Sequence, residues 1–382
     1  MALETRAILD SELSGCIEFW KKEWQSDPVG YFERYFYGDH DFIPTYTRVL
    51  ELEGKISATA HIVKRIVSCG DARLTVGGIA NVVVAPALRG AGLGSTVVRE
   101  AVQLIDADAM DLALLFADMS EFYAKAGFEP VSVQICTGTR NTNLADTSLV
   151  LRDATPQDYS AIHRIYGEFN AGRPIAVQRH DAYWRDWIGL TDDPPFCVKV
   201  VERKQGVVGY LFWKAMESDD NEVEVFEVGF TDGNTEVVEK LLSSFSPGAR
   251  VSFLLPNDEY ISNAISQFYQ EVERLSIGDV FVQFLNLESL LFGLLFDLHE
   301  KWVTSGSPAG KLSVLDGETT VILEPVNGFL TVTREAGVVE GAIGHSELFR
   351  LLMGWGVSDL VDNYVTTLFP GQAGWFWKLD CF

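Results

Sequence analysis

The chain has 382 residues, which is longer than a single hydrophobic core usually organises, so two or three domains are expected. Its 54 acidic and 30 basic side chains give a formal net charge of −24, which argues against a nucleic-acid partner and against binding to anionic membranes. Hydrophobic residues make up 47% of the sequence, as is typical of a folded globular protein, and the acidic balance favours cationic small molecules as partners.

The amino terminus, the cysteines and the histidines predict a cytoplasmic protein without a metal. The first residues, MALETRAILDSELSG, carry charges every few positions and lack an apolar core, so no secretory signal is expected. The five cysteines form no CxxC pair and the six histidines form no HExxH pair, so neither disulfides nor a metal site is expected. The longest apolar run, Leu290–Phe296, is far shorter than the roughly 20 residues that span a membrane.

Two hairpins of similar build lie about 150 residues apart in the chain. They are Arg48–Val63 and Val198–Trp213, and each alternates apolar and polar residues around a short turn that contains glycine. Comparable segments, Leu3–Trp20 and Leu149–Tyr166, precede them. This repetition predicts that one βα fold is used twice.

The segment Ile79–Ile105 predicts a strand, a glycine-rich loop and a helix. Ile79–Val84 is an apolar run of strand length, as in strands that are buried on both faces, and Pro86 ends it. Apolar residues then recur at helical spacing from Leu93 onward. The loop therefore lies at the amino end of a helix.

This loop is suited to binding an anion. The first N–H groups of a helix have no intrahelical partner, and the aligned peptide dipoles place a partial positive charge beside them. Gly90, Gly92 and Gly94 allow the main chain to approach a ligand without a Cβ in the way, and Arg89 can add a charge-assisted contact. A phosphate group is therefore the expected ligand.

Other glycine-rich phosphate loops fit this sequence less well. The loop does not follow GxxxxGK[ST], so a P-loop is excluded. GAGLGS departs from GxGxxG by one position, and no acidic residue follows at a strand end about 20 residues later, which disfavours dinucleotide binding. A tight turn without a ligand is the structural alternative.

The pattern V-x-V-x-P followed by R-x-x-G-x-G resembles the acetyl-coenzyme A signature of the GNAT superfamily of N-acetyltransferases. The resemblance implies that acetyl-CoA is the co-substrate. It also implies a coenzyme site formed by Val82, Val83, Val84, Arg89, Gly90, Ala91, Gly92, Leu93, Gly94 and Ser95.

A second GNAT feature follows the helix. Asp111–Phe116 reads as a buried strand, and the next residues, SEFYAKAGFEP, predict a short helix that contains Tyr123 and is stopped by Gly127. In GNAT proteins this segment lies beside the acetyl thioester. Tyr123 is therefore a candidate proton donor by resemblance.

After about Ser276 the pattern changes to a third, α+β unit. An apolar helix, Leu287–His299, precedes three short strands that are punctuated by glycine and proline. Two more helical segments, SELFRLLMG and VSDLVDNYVTTLF, lead to an aromatic tail, GWFWKLDCF.

The whole chain resembles the enhanced intracellular survival (Eis) family, which combines an active GNAT domain, a second GNAT-like domain and a sterol-carrier-like (SCP2-like) carboxyl-terminal domain. The implied fold class is α/β (α+β), with tandem GNAT-like domains whose central mixed sheets are flanked by helices. The implied boundaries are 1–147, 148–275 and 276–382. The second domain has no R-x-x-G-x-G between its strand and helix, so we expect it to serve as scaffold without a coenzyme.

The Eis resemblance also implies a mechanism. Tyr123 would donate a proton to the departing thiolate, and the terminal carboxylate of Phe382, threaded back into the first domain, would act as the base. The acetyl group of acetyl-CoA would pass to a primary amine of a cationic acceptor (an aminoglycoside, lysine or polyamine), which carboxylates lining the cleft would attract. The resemblance and the apolar tail favour a homo-oligomer, expected to be a hexamer.

A binding protein is the alternative from another functional class. In that reading the third domain holds a lipid or acyl-CoA, and the GNAT domains are structural. The set of Arg89, Gly92, Gly94 and Tyr123 favours the enzyme.

Overall fold

The computed structural model describes residues 5–24, 30–117, 119–141, 148–216, 219–231, 235–256, 258–355, 363–369 and 374–382. The chain forms three successive groups of elements. The first contains strands β1 (Thr5–Ala7), β2 (Thr47–Leu52), β3 (Lys55–Cys69), β4 (Ala72–Val84), β5 (Leu112–Ala117) and β6 (Glu129–Arg140), with helices α1 (Leu13–Trp24), α2 (Leu93–Ala107) and α3 (Ser120–Ala124).

The second group repeats this order with its own strands and helices. Its strands are β7 (Val150–Asp153), β8 (Ala176–Val177), β9 (Cys197–Arg203), β10 (Gly206–Met216), β11 (Asp219–Phe230), β12 (Arg250–Phe253) and β13 (Tyr269–Phe284). Its helices are α4 (Tyr159–Asn170), α5 (Thr235–Leu242) and α6 (Glu259–Phe268). A 3-10 turn, Pro156–Asp158, leads into α4, and Thr155 and Asp158 form a capping box around it.

The described strands of both groups join in one 13-stranded mixed sheet flanked by helices. Its order is β1-β2-β3-β4-β5-β13-β6-β12-β11-β10-β9-β7, with β8 paired to β3. Each group contains one parallel pair of strands at the corresponding position in its strand order. These pairs are β4 with β5 and β11 with β12. Both predicted hairpins are confirmed, as β2–β3 and β9–β10.

The last strand of each group lies against the other group. Strand β13 runs antiparallel to both β5 and β6, and β6 runs antiparallel to β12. The expected pair of mixed sheets is therefore a single sheet, since each half completes its edge with a strand from its partner and leaves no free edge between them.

The third group is an α+β unit. It contains a three-stranded antiparallel sheet of β14 (Leu312–Asp316), β15 (Thr319–Val326) and β16 (Phe329–Ala336). Its helices are α7 (Leu287–Gly293), α8 (Leu295–Thr304), α9 (His345–Met353) and α10 (Asn363–Leu368). The single helix predicted for Leu287–His299 is two helices, which divide at Leu294 just after Gly293, a poor helix former.

The third unit shares a hydrophobic core with the large sheet and is also joined to it through polar contacts. The amide of Phe284 donates to His345 Nδ1 at 3.1 Å, and the amide of Ser346 donates to Glu129 Oε2 at 2.8 Å. The likeness of this unit to a sterol carrier stays a prediction. The part of the predicted segment VSDLVDNYVTTLF before Asn363 lies outside the described residues.

Two negative findings apply to the described residues. They include no helix with the length and apolar character needed to cross a bilayer. They also include no cluster of three or more His, Cys, Asp or Glu side chains that could hold a metal ion.

Candidate active site

The site forms where β4 and β5 separate. Their parallel pairing runs from Val76–Leu112 to Gly78–Leu114, and no pairing of the two strands is seen beyond it in the described residues. Strand β4 also has a bulge against β3, because Thr59 pairs with Val83 whereas His61 pairs with Ala80. The strands therefore diverge at their carboxyl ends and leave a cleft.

Asn81 occupies this bulge and was missed by the sequence reasoning. Its φ is 49°, a left-handed conformation that asparagine tolerates better than branched residues do. Its carbonyl accepts a hydrogen bond from Thr59 Oγ1 at 2.8 Å, and that hydroxyl in turn accepts one from Trp20 Nε1 at 2.9 Å. The only signal in the sequence is one polar residue within an apolar run.

The predicted glycine-rich loop and helix are confirmed. Helix α2 begins at Leu93, and its N-cap residue, Gly92, has a φ of 84°. Gly90 has a φ of 83°, and a Cβ at Gly90 or Gly92 would meet only open space. Positive φ angles are thus the reason for these two glycines.

Gly94 lies where neighbouring side chains leave little room for a Cβ. Its φ is not positive, and a Cβ there would come within 3.2 Å of the Phe122 ring and 3.4 Å of a Val84 methyl group. This glycine therefore allows α2 to pack closely against α3 and β4. Its close approach to a ligand stays a prediction.

The amino end of α2 presents unpaired donors. Within the described residues, no acceptor contacts the amides of Gly92, Leu93, Gly94 and Ser95. Arg89 lies beside them with a side chain that is 60% exposed, and its guanidinium contacts the Val84 carbonyl at 3.2 Å and Glu23 at 3.4 Å. This arrangement meets the electrostatic and hydrogen-bonding needs of a phosphate.

The remaining predicted coenzyme residues differ in what their side chains do. Val82 lines the cleft, whereas the Val83 side chain is buried in the core of the domain. The Leu93 side chain is also buried, so only the main chain of this residue can contact a ligand at the loop. Ala91 and Gly90 are exposed at the loop tip.

The cleft has a volume of about 710 Å³ and contains both predicted catalytic residues. Its described lining consists of Trp24, Tyr31, Phe32, Tyr35, Ile79, Ala80, Asn81, Val82, Phe116, Ala117, Met119, Tyr123, Val133, Leu254, Trp375, Phe376, Lys378, Cys381 and Phe382. No aspartate or glutamate side chain belongs to this described lining, although carboxylates were expected there.

Tyr123 is confirmed as part of a short helix, α3, and it lines the cleft. Its side chain packs against Phe122, Phe128 and Phe281 and is 8% exposed. Burial raises the pKa of its phenol to about 12. The hydroxyl has no hydrogen-bond partner among the described residues, so a neutral O–H group remains available.

The carboxyl-terminal tail reaches the same cleft. The Phe382 ring packs against the rings of Phe116 and Phe376, with centroids 5.6 Å apart in both pairs. A Cβ at Gly78 would overlap this ring, so the absence of a side chain at Gly78 makes room for it. Arg34 donates a hydrogen bond to the Cys381 carbonyl at 3.1 Å, one residue before the chain's end.

A buried ionic cluster holds the tail in place. The Arg179 guanidinium donates two hydrogen bonds to Asp380, both at 2.8 Å, and two to Glu227, at 2.9 and 2.7 Å. All three side chains are fully buried. The hydroxyls of Tyr183 and Tyr210 add one hydrogen bond each, to Asp380 and Glu227. Nothing in the sequence indicated this cluster, because its charged residues are far apart in the chain.

Replacing Gly78 with alanine is expected to release the tail. Overfilling a packed site costs about 1–3 kcal/mol, which lowers the equilibrium constant for docking of the tail by about 5- to 150-fold. Carboxypeptidase should therefore remove Phe382 faster from Gly78→Ala than from the parent protein. Gly15→Ala is the matched control, because a Cβ at Gly15 meets no atom within 4 Å. Equal digestion of the two variants would contradict the packing described here.

Comparisons with known proteins relate this chain to N-acetyltransferases. Residues 4–131 match the acetyltransferase (GNAT) domain family. No curated protein matches the chain. A GCN5-related N-acetyltransferase from Anabaena variabilis ATCC 29413 has a similar structure, with a TM-score of 0.71 at 16% identity over 100% of both chains.

Two further solved structures share this architecture. A probable N-acyltransferase from Enterococcus faecalis V583 has a TM-score of 0.66 at 14% identity, over 88% of this chain and 86% of its own. Eis1 from Mycobacterium abscessus has a TM-score of 0.65 at 12% identity, over 97% of this chain and 98% of its own. At these identities the likeness establishes the fold.

Proposed function

We propose that this chain, an N-acetyltransferase that carries a GNAT acetyltransferase domain at residues 4–131, transfers the acetyl group of acetyl-CoA to a primary amine of a cationic acceptor. The GNAT domain implies acetyl-CoA as the co-substrate. The observation that carries the proposal is the cleft between β4 and β5, which is lined by Tyr123 and Phe382 and by the end of the strand that leads into the unpaired amides of α2.

The amino end of α2 would hold the coenzyme's pyrophosphate. The unpaired amides of residues 92–95 offer several donors to phosphate oxygens, and the helix dipole adds a favourable field. Arg89 is exposed and free to turn from Glu23 toward the phosphates. The thioester would then extend along β4 into the cleft.

The main-chain N–H of Val82 is our candidate donor to the thioester carbonyl. The bulge leaves Asn81 and Val82 outside the register with β3, and pairing with β5 has already ended at Gly78. An amide without a strand partner can stabilise the oxyanion that forms as the amine attacks.

Tyr123 and the terminal carboxylate of Phe382 would move the protons. The carboxylate takes a proton from the ammonium group of the acceptor, and the free amine attacks the acetyl carbon. As the C–N bond forms and the C–S bond breaks, the phenol donates its proton to the sulfur and recovers one from the new amide nitrogen. Because burial raises the pKa of Tyr123 to about 12, the phenol is protonated at neutral pH.

The more specific sequence predictions remain part of this proposal. They comprise membership of the Eis subfamily, an aminoglycoside, lysine or polyamine as acceptor, a cytoplasmic location and a homo-oligomer, expected to be a hexamer. The second group of elements is proposed to be scaffold without a coenzyme; residues 232–234, between its β11 and α5, lie outside the described residues.

A carboxyl-terminal extension is expected to abolish acetyl transfer, whereas an amino-terminal tag leaves it intact. The extension moves the terminal carboxylate away from the Phe382 position, and deletion of Cys381 and Phe382 shifts it back to Asp380. Thiol release from acetyl-CoA in the presence of a panel of amines measures the rate. Full activity of the tail-extended protein would exclude the terminal carboxylate as the base. No thiol release with any amine, together with co-purified lipid, would support the lipid or acyl-CoA carrier instead.

A further inference from the structure

A second cavity forms where the three groups of elements meet. Strand β12 pairs with β6 only as far as Phe253 opposite Cys136, whereas β6 continues beside β13 to Glu129. The cavity beyond the end of β12 has a volume of about 370 Å³. It is lined by β6 of the first group, by β12, α6 and β13 of the second, and by the end of α9 and the tail. Trp375 is the one residue that the described linings of this cavity and of the cleft between β4 and β5 share.

Two tryptophans form part of the cavity wall. The rings of Trp355 and Trp375 have centroids 5.9 Å apart, and Trp355 Nε1 donates a hydrogen bond to the Gly374 carbonyl at 2.9 Å. The Gly374 amide donates to the Met353 carbonyl at 2.7 Å. These two hydrogen bonds hold the tail against the end of α9, and Ile265 of α6 adds a further apolar wall.

Two hydrogen-bond donors in the cavity lack a protein partner among the described residues. The Trp375 side chain is only 7% exposed, yet its Nε1 makes no hydrogen bond to them. The Arg350 guanidinium also makes no hydrogen bond or ion pair with them. An arginine in the last turn of a helix suits the helix dipole, but that does not account for the buried indole N–H. A buried donor without a partner is unfavourable, so a ligand that accepts hydrogen bonds here would be stabilised.

Arg274 adds a second positive charge. It lies on β13 directly opposite Cys136 of β6, and both residues line the cavity. Burial raises the pKa of the Cys136 thiol, and the charge of Arg274 opposes that increase. The field of this arginine therefore reaches the wall of the cavity. Positive charge is concentrated here although the whole chain has a formal net charge of −24.

We propose that this cavity binds an organic carboxylate with an aromatic or apolar body, as a second ligand site apart from the cleft between β4 and β5. The planar guanidinium of Arg350 matches the two oxygens of a carboxylate, and the indole N–H of Trp375 supplies a further donor. The body of the ligand packs against Trp355 and Ile265. A volume of about 370 Å³ lies within the range of small-molecule sites. The inference does not depend on the proposed function, because it concerns a different cavity.

A matched pair of ligands tests the requirement for a negative charge. Indole-3-acetate and indole-3-acetamide share the same ring and nearly the same shape, but only the first is an anion. Calorimetric titration of the full chain is expected to give a Kd at least about tenfold lower for indole-3-acetate. Equal affinity for the two compounds, or no binding heat with indole-3-acetate, would overturn the inference. Tighter binding of inorganic phosphate than of indole-3-acetate would overturn the assignment to a carboxylate with an apolar body.

Substitutions locate the bound carboxylate. Arg350→Gln is expected to raise the Kd of indole-3-acetate by at least about tenfold, and Trp375→Phe, which keeps an aromatic ring and removes the N–H donor, by about three- to tenfold. Lys378→Gln is the matched control, because Lys378 lines the cleft between β4 and β5, and it should leave the Kd within about twofold. Urea denaturation checks that each variant is folded. Loss of binding in Lys378→Gln but not in Arg350→Gln would place the carboxylate in that cleft and contradict a second site.

Discussion

Replacing Arg179 with methionine is expected to lower the free energy of unfolding by about 3–5 kcal/mol. The change removes four hydrogen bonds and leaves two fully buried carboxylates, Glu227 and Asp380, without their counter-ion. Burial raises the pKa of Glu227 even with the guanidinium opposing it, which shows how unfavourable a charge is at this position. Equilibrium denaturation in urea measures the loss.

Two comparisons separate this effect from a general loss of arginine. Arg164→Met removes an exposed pair with Glu168, one turn away on α4, and should cost no more than about 1 kcal/mol. Adding Glu227→Gln and Asp380→Asn to Arg179→Met removes the uncompensated charges and should recover part of the stability. A loss for Arg179→Met as small as that for Arg164→Met would mean that the buried cluster does not hold the fold together.

Tyr123→Phe is expected to lower kcat by about 10²- to 10⁴-fold and to leave the protein folded. The substitution removes only a hydroxyl that makes no hydrogen bond to the described residues, so the packing against Phe122, Phe128 and Phe281 persists. What is lost is the proton for the departing sulfur. Steady-state thiol release with the preferred amine gives kcat, and urea denaturation reports the stability.

Tyr46→Phe is the matched control for this experiment. Tyr46 belongs to the same core cluster as Tyr123 but not to the cleft lining, so its loss should change kcat by less than about threefold. The pH dependence supplies a second check. With a pKa of about 12, Tyr123 stays protonated between about pH 7 and pH 10 and causes no fall in kcat there. An alkaline fall in that range that Tyr123→Phe abolishes would contradict the buried, neutral phenol.

The local features of the coenzyme site could be predicted because they depend on neighbours in sequence. Ile79–Val84 is apolar because β4 is buried, and the glycines at 90 and 92 are needed where φ is positive. Helix α3 and the turn that follows it could be predicted for the same reason, because Gly127, whose φ is 92°, stops the helix locally. Asn81 is the exception in this region, since a bulge depends on how β3 pairs with β4.

The acceptor side of the cleft could not be predicted in the same way. Its rings come from the end of α1 and the segment after it, from β5 and from the tail, which only the folded chain brings together. The acidic composition suggested a cleft lined by carboxylates. The two carboxylates that hold the tail, Glu227 and Asp380, are instead buried inside the protein and paired with Arg179. Composition reports total charge and says little about where it lies.

By itself the sequence determined three features: the strand–loop–helix unit that presents unpaired amides, the position of Tyr123, and the repetition of the hairpins. It could do so because hydrophobic periodicity and glycine placement are local properties of the chain. Tertiary structure decided that β6 and β13 exchange between the two halves and that Phe382 lies against Gly78, and it decided which charges are buried. Those features join residues that are up to about 300 positions apart, and such contacts are selected by the packing of the whole core and not by any local preference.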